Sequence, residues 1–101
     1  MIKLDLTQFE RLTLYELVGI DDAQQKPKQY PIGQLDDASV ILKKMVSEGV
    51  PFMGKVSFSD GEVELERSEF TLLKALFEAK QEWSVDKGDI RKSLKEKLEV
   101  S

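Results

Sequence analysis

The stretch Lys55-Val-Ser-Phe-Ser-Asp-Gly-Glu-Val-Glu-Leu-Glu-Arg-Ser-Glu69 decides how this chain is read. Apolar and polar residues alternate on both sides of Asp60-Gly61, which is the period of a strand with one buried face. An Asp-Gly pair between two such runs is a strong signal for a two-residue hairpin turn. Pairing around it sets Phe58 opposite Val63 and Val56 opposite Leu65. Those four residues then share one face, while Lys55, Ser57, Ser59, Glu62 and Glu64 share the other. Register and hydrophobic pattern agree, so a β-hairpin is predicted over 55–65. A lone hairpin is marginal in water. Ile2-Lys-Leu-Asp-Leu6 alternates in the same way and is the candidate third strand.

Helices flank these strands. One is predicted from about 67 to 82, with Phe70, Leu73, Leu76 and Phe77 inward. Thr7-Gln-Phe-Glu10 matches a capping box and opens a helix over about 8–18. Its apolar face is Phe9, Leu12, Leu14, Leu17 and Val18, and Gly19 is its stop. These two strand-then-helix segments echo one another at a shift of 59 residues. Leu4-Asp5-Leu6-Thr7-x-x-Glu10 lies over Val63-Glu64-Leu65-Glu66-x-x-Glu69, Leu14 over Leu73, and Leu17 over Leu76. The echo fits two related β-α units around one sheet. It also fits any amphipathic strand that feeds a capped helix.

Between the two segments, residues 19–33 read as a long irregular loop with two prolines and two glycines. Such a loop is either functional or mobile. A helix is predicted over 34–48, with Leu35, Ala38, Ile41, Leu42, Met45 and Val46 on one face and Lys43 and Lys44 facing away. Asp36 and Asp37 fall in its first turn, where the helix dipole favours anions. Gly49 and Pro51 end it. A last helix over 87–98 is expected, capped by Asp86 and stapled by Val85 against Ile90. Its stripe of Ile90, Leu94 and Leu98 is thin, which predicts a peripheral helix or one that packs on a partner. The order is β-α-loop-α-β-β-α-α. The expected class is α+β, a single domain over 1–101 with a small antiparallel sheet of about three strands packed by three to four helices.

Composition narrows the chemistry. The chain has 101 residues with no Cys and no His. Without Cys there is no disulfide framework, thiolate nucleophile or thiolate zinc site. Without His, Ser-His-Asp and Cys-His catalysis are excluded within the chain, and the commonest transition-metal ligand is missing. No cofactor, no metal and no enzymatic activity are expected. The glycines form no phosphate-binding loop. No apolar run is long enough to span a bilayer, and the alternating N-terminus is not a signal-peptide core. No membrane association and a cytoplasmic location follow as expectations.

The formal net charge is −4, which weighs against a nucleic-acid partner. The charge is uneven. Residues 1–23 carry a net −3 and residues 59–82 a net −4, whereas residues 24–58 carry +2. The densest acidic feature is Asp60, Glu62, Glu64, Glu66 and Glu69. Strand alternation puts Glu62 and Glu64 on a solvent face, as a charged face that discourages edge pairing or as a docking surface for a basic protein. Tyr30 and Ile32 flank Pro31 in a polar loop, Phe52-Met53 follows Pro51, and Trp83 sits at a helix junction. Each is a core plug or an exposed interface anchor.

The leading expectation is a small non-enzymatic interaction protein: a regulator, inhibitor, adaptor or assembly factor. Its expected surface comprises Asp60, Glu62, Glu64, Glu66, Tyr30 and Ile32, and the chain would be a monomer or homodimer. Such compositions are common among small accessory proteins, including those of phages and other mobile elements. The alternative is a winged-helix-like nucleic-acid binder. It would use Lys43 and Lys44 on the 34–48 helix, with the 55–65 hairpin as its wing.

Overall fold

Alternation in two separated segments buries Leu4, Leu6, Val63 and Leu65, and the strands that carry them pair with each other. β1 (Ile2–Leu6) and β6 (Gly61–Leu65) form an antiparallel ladder, with Leu4 opposite Val63, Lys3 opposite Glu64 and Asp5 opposite Glu62. Between them the chain runs through α1 (Gln8–Gly19), β2 (Ile20–Asp21), β3 (Lys26–Pro27), α2 (Ile32–Met45), β4 (Glu48–Val50) and β5 (Met53–Ser57). After β6 come α3 (Arg67–Ala79), a 3-10 turn at Val85–Lys87 and α4 (Gly88–Lys97). The computed structural model describes residues 1–100. The α+β class and the broad order of elements are those expected.

The strand pairing is not as expected. Instead of one sheet of three strands, the described residues form three two-stranded antiparallel pairs: β1 with β6, β2 with β3, and β4 with β5. The 55–65 hairpin does not form. Asp60 is diverted from the turn, because its Oδ1 accepts the Gln8 N–H at 2.7 Å at the start of α1. β6 instead takes β1 as its neighbour, which packs leucines against Val63 and Leu65 and sets Lys3 Nζ 3.8 Å from Glu64. β5 turns back on β4 through Pro51-Phe52, with Val50 opposite Met53. A bulge lies between Glu48 and Val50. Gly49 sits there at φ 97°, where a Cβ would run into the Lys55 carbonyl. Val56 and Phe58 still pack on the core, but from beside it rather than across the ladder.

The helices start and stop for local reasons. Thr7 and Glu10 make the capping box. The Glu10 N–H donates to Thr7 Oγ1 at 3.2 Å, and the Thr7 N–H donates to Glu10 Oε1 at 2.9 Å. Glu66 is the N-cap of α3, and its N–H donates to Glu69 Oε1 at 3.0 Å. α2 begins directly after Pro31, earlier than periodicity suggested, so Asp36 and Asp37 are not in its first turn. Asp37 instead accepts the Ser68 hydroxyl at 3.3 Å, tying α2 to α3.

Both capping glutamates are buried, and each is met by a lysine from another helix. Lys97 on α4 reaches Glu10 at 2.7 Å, and Lys44 on α2 reaches Glu69 at 2.6 Å. Ser93 donates a third hydrogen bond, to Glu10 Oε2 at 2.7 Å. α4 is therefore neither peripheral nor reserved for a partner, since Leu94 and Leu98 are fully buried in the common core. The Val85 staple is absent, because Val85 is 98% exposed.

One buried cation has no carboxylate. The Arg11 guanidinium donates to Ser47 Oγ at 3.0 Å and, more weakly, to the Met45 carbonyl at 3.5 Å and the Glu62 carbonyl at 3.4 Å. It lies at the C-terminal end of α2, where the helix dipole is negative. It joins α1, α2 and β6 at one point.

Candidate functional site

The C-terminus of α1 is closed by the loop that follows it. The Lys28 N–H donates to the Gly19 carbonyl at 2.9 Å, and the Tyr30 hydroxyl donates to the Val18 carbonyl at 2.6 Å. These bonds satisfy two carbonyls that the helix end leaves free. Burial pushes the Tyr30 phenol up to about 12. Tyr30 is thus a half-buried anchor of the 20–31 segment.

Above this anchor lies an apolar groove of about 230 Å³. Val18 and Gly19 of α1 form its floor, Leu35, Ala38 and Leu42 of α2 one wall, and Val50, Pro51 and Phe52 the other. Gly19 is needed here, since a Cβ would sit 3.0 Å from Leu42 Cδ2 and 3.1 Å from Phe52 Cζ. Phe52 occupies the second central position of a two-residue turn at φ 63°. That left-handed conformation suits Gly or Asn and is an outlier for a bulky residue. Pro51 presets the preceding position, and the Phe52 ring packs against Tyr15 with centroids 6.0 Å apart. The turn therefore holds a strained aromatic at the groove while leaving the residue 49% exposed. Strain of this kind costs on the order of 1–3 kcal/mol and concentrates at ligand-holding positions.

Exposed apolar surface gathers at the same place. Of the eight large hydrophobic residues left exposed among the described residues, five lie on the first turns of α2 or around this β-turn: Ile32, Leu35, Val50, Phe52 and Met53. The rim adds Lys28 and Lys43, neither of which makes an ion pair among the described residues. No acidic residue lines the groove.

The sequence-designated residues divide between two regions. Tyr30 lines the groove, and Ile32, 88% exposed, precedes Leu35 by one turn of α2. Asp60, Glu62, Glu64 and Glu66 lie elsewhere, along β6 and its ends. Asp60 holds the N-terminus of α1, Glu66 caps α3, Glu64 pairs with Lys3, and exposed Glu62 lies opposite Asp5. Lys43 is exposed, whereas Lys44 is held by Glu69. Sequence periodicity puts Leu35 on the inward face of its helix, whereas it is 48% exposed, because periodicity assigns a helix face without saying where the core ends. Phe52 is legible in sequence as an aromatic directly after a proline, between the second helix and the next strand.

A larger cleft, about 510 Å³, is lined by Glu16, Asp22, Lys80, Glu82, Trp83 and Lys87 among others. Its charges are of both signs and partly satisfied already: Lys80 pairs with Asp22 at 2.6 Å and lies 5.3 Å from the Trp83 ring centre. Among the described residues no three carboxylates converge as a metal site requires, and no helix is long and apolar enough to cross a membrane. Glu10 is the most embedded carboxylate. Burial alone would raise its titration, but the hydrogen bonds from Lys97, Thr7 and Ser93 and the Lys97 charge outweigh that and hold it below its ordinary value. Its lone pairs are committed to a helix cap and an ion pair.

Comparison with protein-family models, with curated proteins and with solved structures finds no match to this chain.

Proposed function

We propose that this chain is a small non-enzymatic protein-interaction module of the cytoplasm, a regulator, inhibitor, adaptor or assembly factor, and that its binding face is the groove between α1, α2 and the β4–β5 turn. The observation that carries this reading is the exposed apolar cluster of Leu35, Val50 and Phe52 around a formed cavity. Contiguous exposed apolar surface rimmed by polar groups is what protein interfaces present, and aromatic anchors there supply much of the binding energy. The volume also argues for a protein. About 230 Å³ is below the ~300 Å³ at which small-molecule sites begin, and it suits one anchoring side chain of a partner. The acidic strand face is a weaker candidate, since Asp60, Glu64 and Glu66 already have structural tasks.

The test is affinity capture from the native host with three baits: the wild-type chain, Leu35→Glu, and the double variant Glu62→Lys/Glu64→Lys. Leu35 is half exposed, so its replacement leaves the core intact. The expected result is a partner held by the wild-type and the strand variant and lost with Leu35→Glu. A partner that ignores Leu35→Glu but disappears with the strand variant would move the binding face to β6.

A further inference from the structure

We infer that the partner presents an acidic segment: a large apolar anchor that enters the groove, with Asp or Glu beside it to meet Lys28 and Lys43. This partner chemistry rests on the groove being the binding face. The warrant is charge complementarity. The chain is acidic overall, at −4, so its general surface repels an acidic peptide. The lining of the groove has the opposite sign. Lys28 and Lys43 border it, no carboxylate lines it, and neither lysine has an ion-pair partner among the described residues. Lys3, Lys44, Lys80 and Lys97, by contrast, are paired with Glu64, Glu69, Asp22 and Glu10. Opposite charge at a rim steers encounter and fixes register, while the desolvated apolar anchor supplies affinity. The two lysines stand on different elements, Lys28 after β3 and Lys43 on α2. An anchored peptide would therefore meet positive charge from two elements rather than from one.

The probe is a phage-displayed library of random twelve-residue peptides, selected in parallel against the wild-type chain and the variants Lys28→Glu/Lys43→Glu, Leu35→Glu and Phe52→Gly. The selected peptides are then synthesised and their affinities measured by fluorescence anisotropy at low and high salt. Thermal melts confirm that each variant is folded. Phe52→Gly puts at the left-handed position the residue that position prefers. The expected result is enrichment of peptides that combine a Phe, Trp, Leu or Met with two or more acids. Binding should weaken about tenfold in Lys28→Glu/Lys43→Glu and at high salt, and by more than tenfold in Leu35→Glu and Phe52→Gly. The lysine variant should itself select basic peptides.

Neutral or basic peptides from the wild type, with binding indifferent to Lys28→Glu/Lys43→Glu but lost in Leu35→Glu, would overturn the acidic partner and leave the groove standing. Peptides indifferent to Leu35→Glu and Phe52→Gly, or no enrichment at all, would overturn both. Concentration-dependent self-association in sedimentation, abolished by Leu35→Glu, would make the occupant a second copy of this chain and end the acidic-segment proposal.

Discussion

The chain contains two β-α-α halves, β1-α1-α2 and β6-α3-α4, and they agree in their scaffold but differ in what is built on it. The 59-residue echo has a structural counterpart. Leu4 and Val63 correspond under that shift, and they face each other at the centre of the β1–β6 ladder. The pairs on either side, Ile2 with Leu65 and Leu6 with Gly61, exchange under the same shift, so the ladder has a local two-fold axis. Glu10, Thr13, Leu14 and Val18 are buried, and so are their counterparts Glu69, Leu72, Leu73 and Phe77. In each half the second helix buries two apolar residues four apart, Ile41 and Met45 or Leu94 and Leu98. The residue before the second of each pair is the lysine that meets the other half's glutamate. Each half thus supplies the cation that the other half's buried carboxylate requires.

The differences lie in the first half. Arg11 stands where the second half has Phe70. The β2–β3 pair in the α1–α2 connection has no counterpart in the α3–α4 connection, which among the described residues holds only the 3-10 turn at Val85–Lys87. The groove is made from the α1–α2 connection and the β4–β5 turn laid against α1 and α2. The lesson is a separation of tasks: the repeated parts make the core, and the unrepeated parts make the candidate binding surface.

The sharpest test of the shared scaffold is Leu14→Ala against Leu73→Ala. Both side chains are fully buried at corresponding positions, so each loss should cost about 3–4 kcal/mol in urea unfolding. Costs that differ by more than about half of that would break the equivalence of the two halves.

The buried carboxylates sharpen the comparison. Glu10 has three donors, Thr7, Ser93 and Lys97, and Glu69 has two, Glu66 and Lys44. Glu10→Ala should cost about 3 kcal/mol and Glu69→Ala about 2, because each leaves a partly buried lysine without its partner. Glu10 also predicts a pH dependence. Its folded value lies below the ordinary 4.5, so the native state binds fewer protons than the unfolded one in that window. The stabilisation is present above 4.5 and is lost as pH falls through the lower folded value. Acid unfolding of Glu10→Ala should lack this component. An unchanged acid limb would mean that the Lys97 contact does not persist in solution.

Smaller effects are expected in the unshared parts. Tyr30→Phe should cost about 1 kcal/mol through the hydrogen bond lost to Val18. Its folded value near 12 lies above the ordinary 10.0, so its contribution is full below 10.0 and declines as pH rises towards 12. Alkaline unfolding should become less steep in Tyr30→Phe. Phe52→Gly should change stability least, by under about 1 kcal/mol, because relief of the left-handed strain offsets the lost contact with Tyr15. A large loss of stability there would show that the turn serves the core rather than the groove.

Much of this was readable along the chain, and for a physical reason. The Thr7/Glu10 capping box, the alternation in residues 2–6 and 61–65, and the helix beginning after Leu65 depend on interactions within a few residues. A capping box spans three positions, and a strand's period is two. What sequence could not decide was competition. β5 and β1 both offered an apolar face to β6, and local turn chemistry at Asp60-Gly61 favoured β5. Tertiary structure favoured β1, because Asp60 could cap α1 and Leu4 and Leu6 could complete the ladder. The pairing of Glu10 with a lysine 87 residues away and the apolar walls that meet over Gly19 are decisions of the same kind. Local propensity determined the elements. Which element each one packs against, and therefore where a groove is left open, was decided only when distant segments competed for the same edge and the same core.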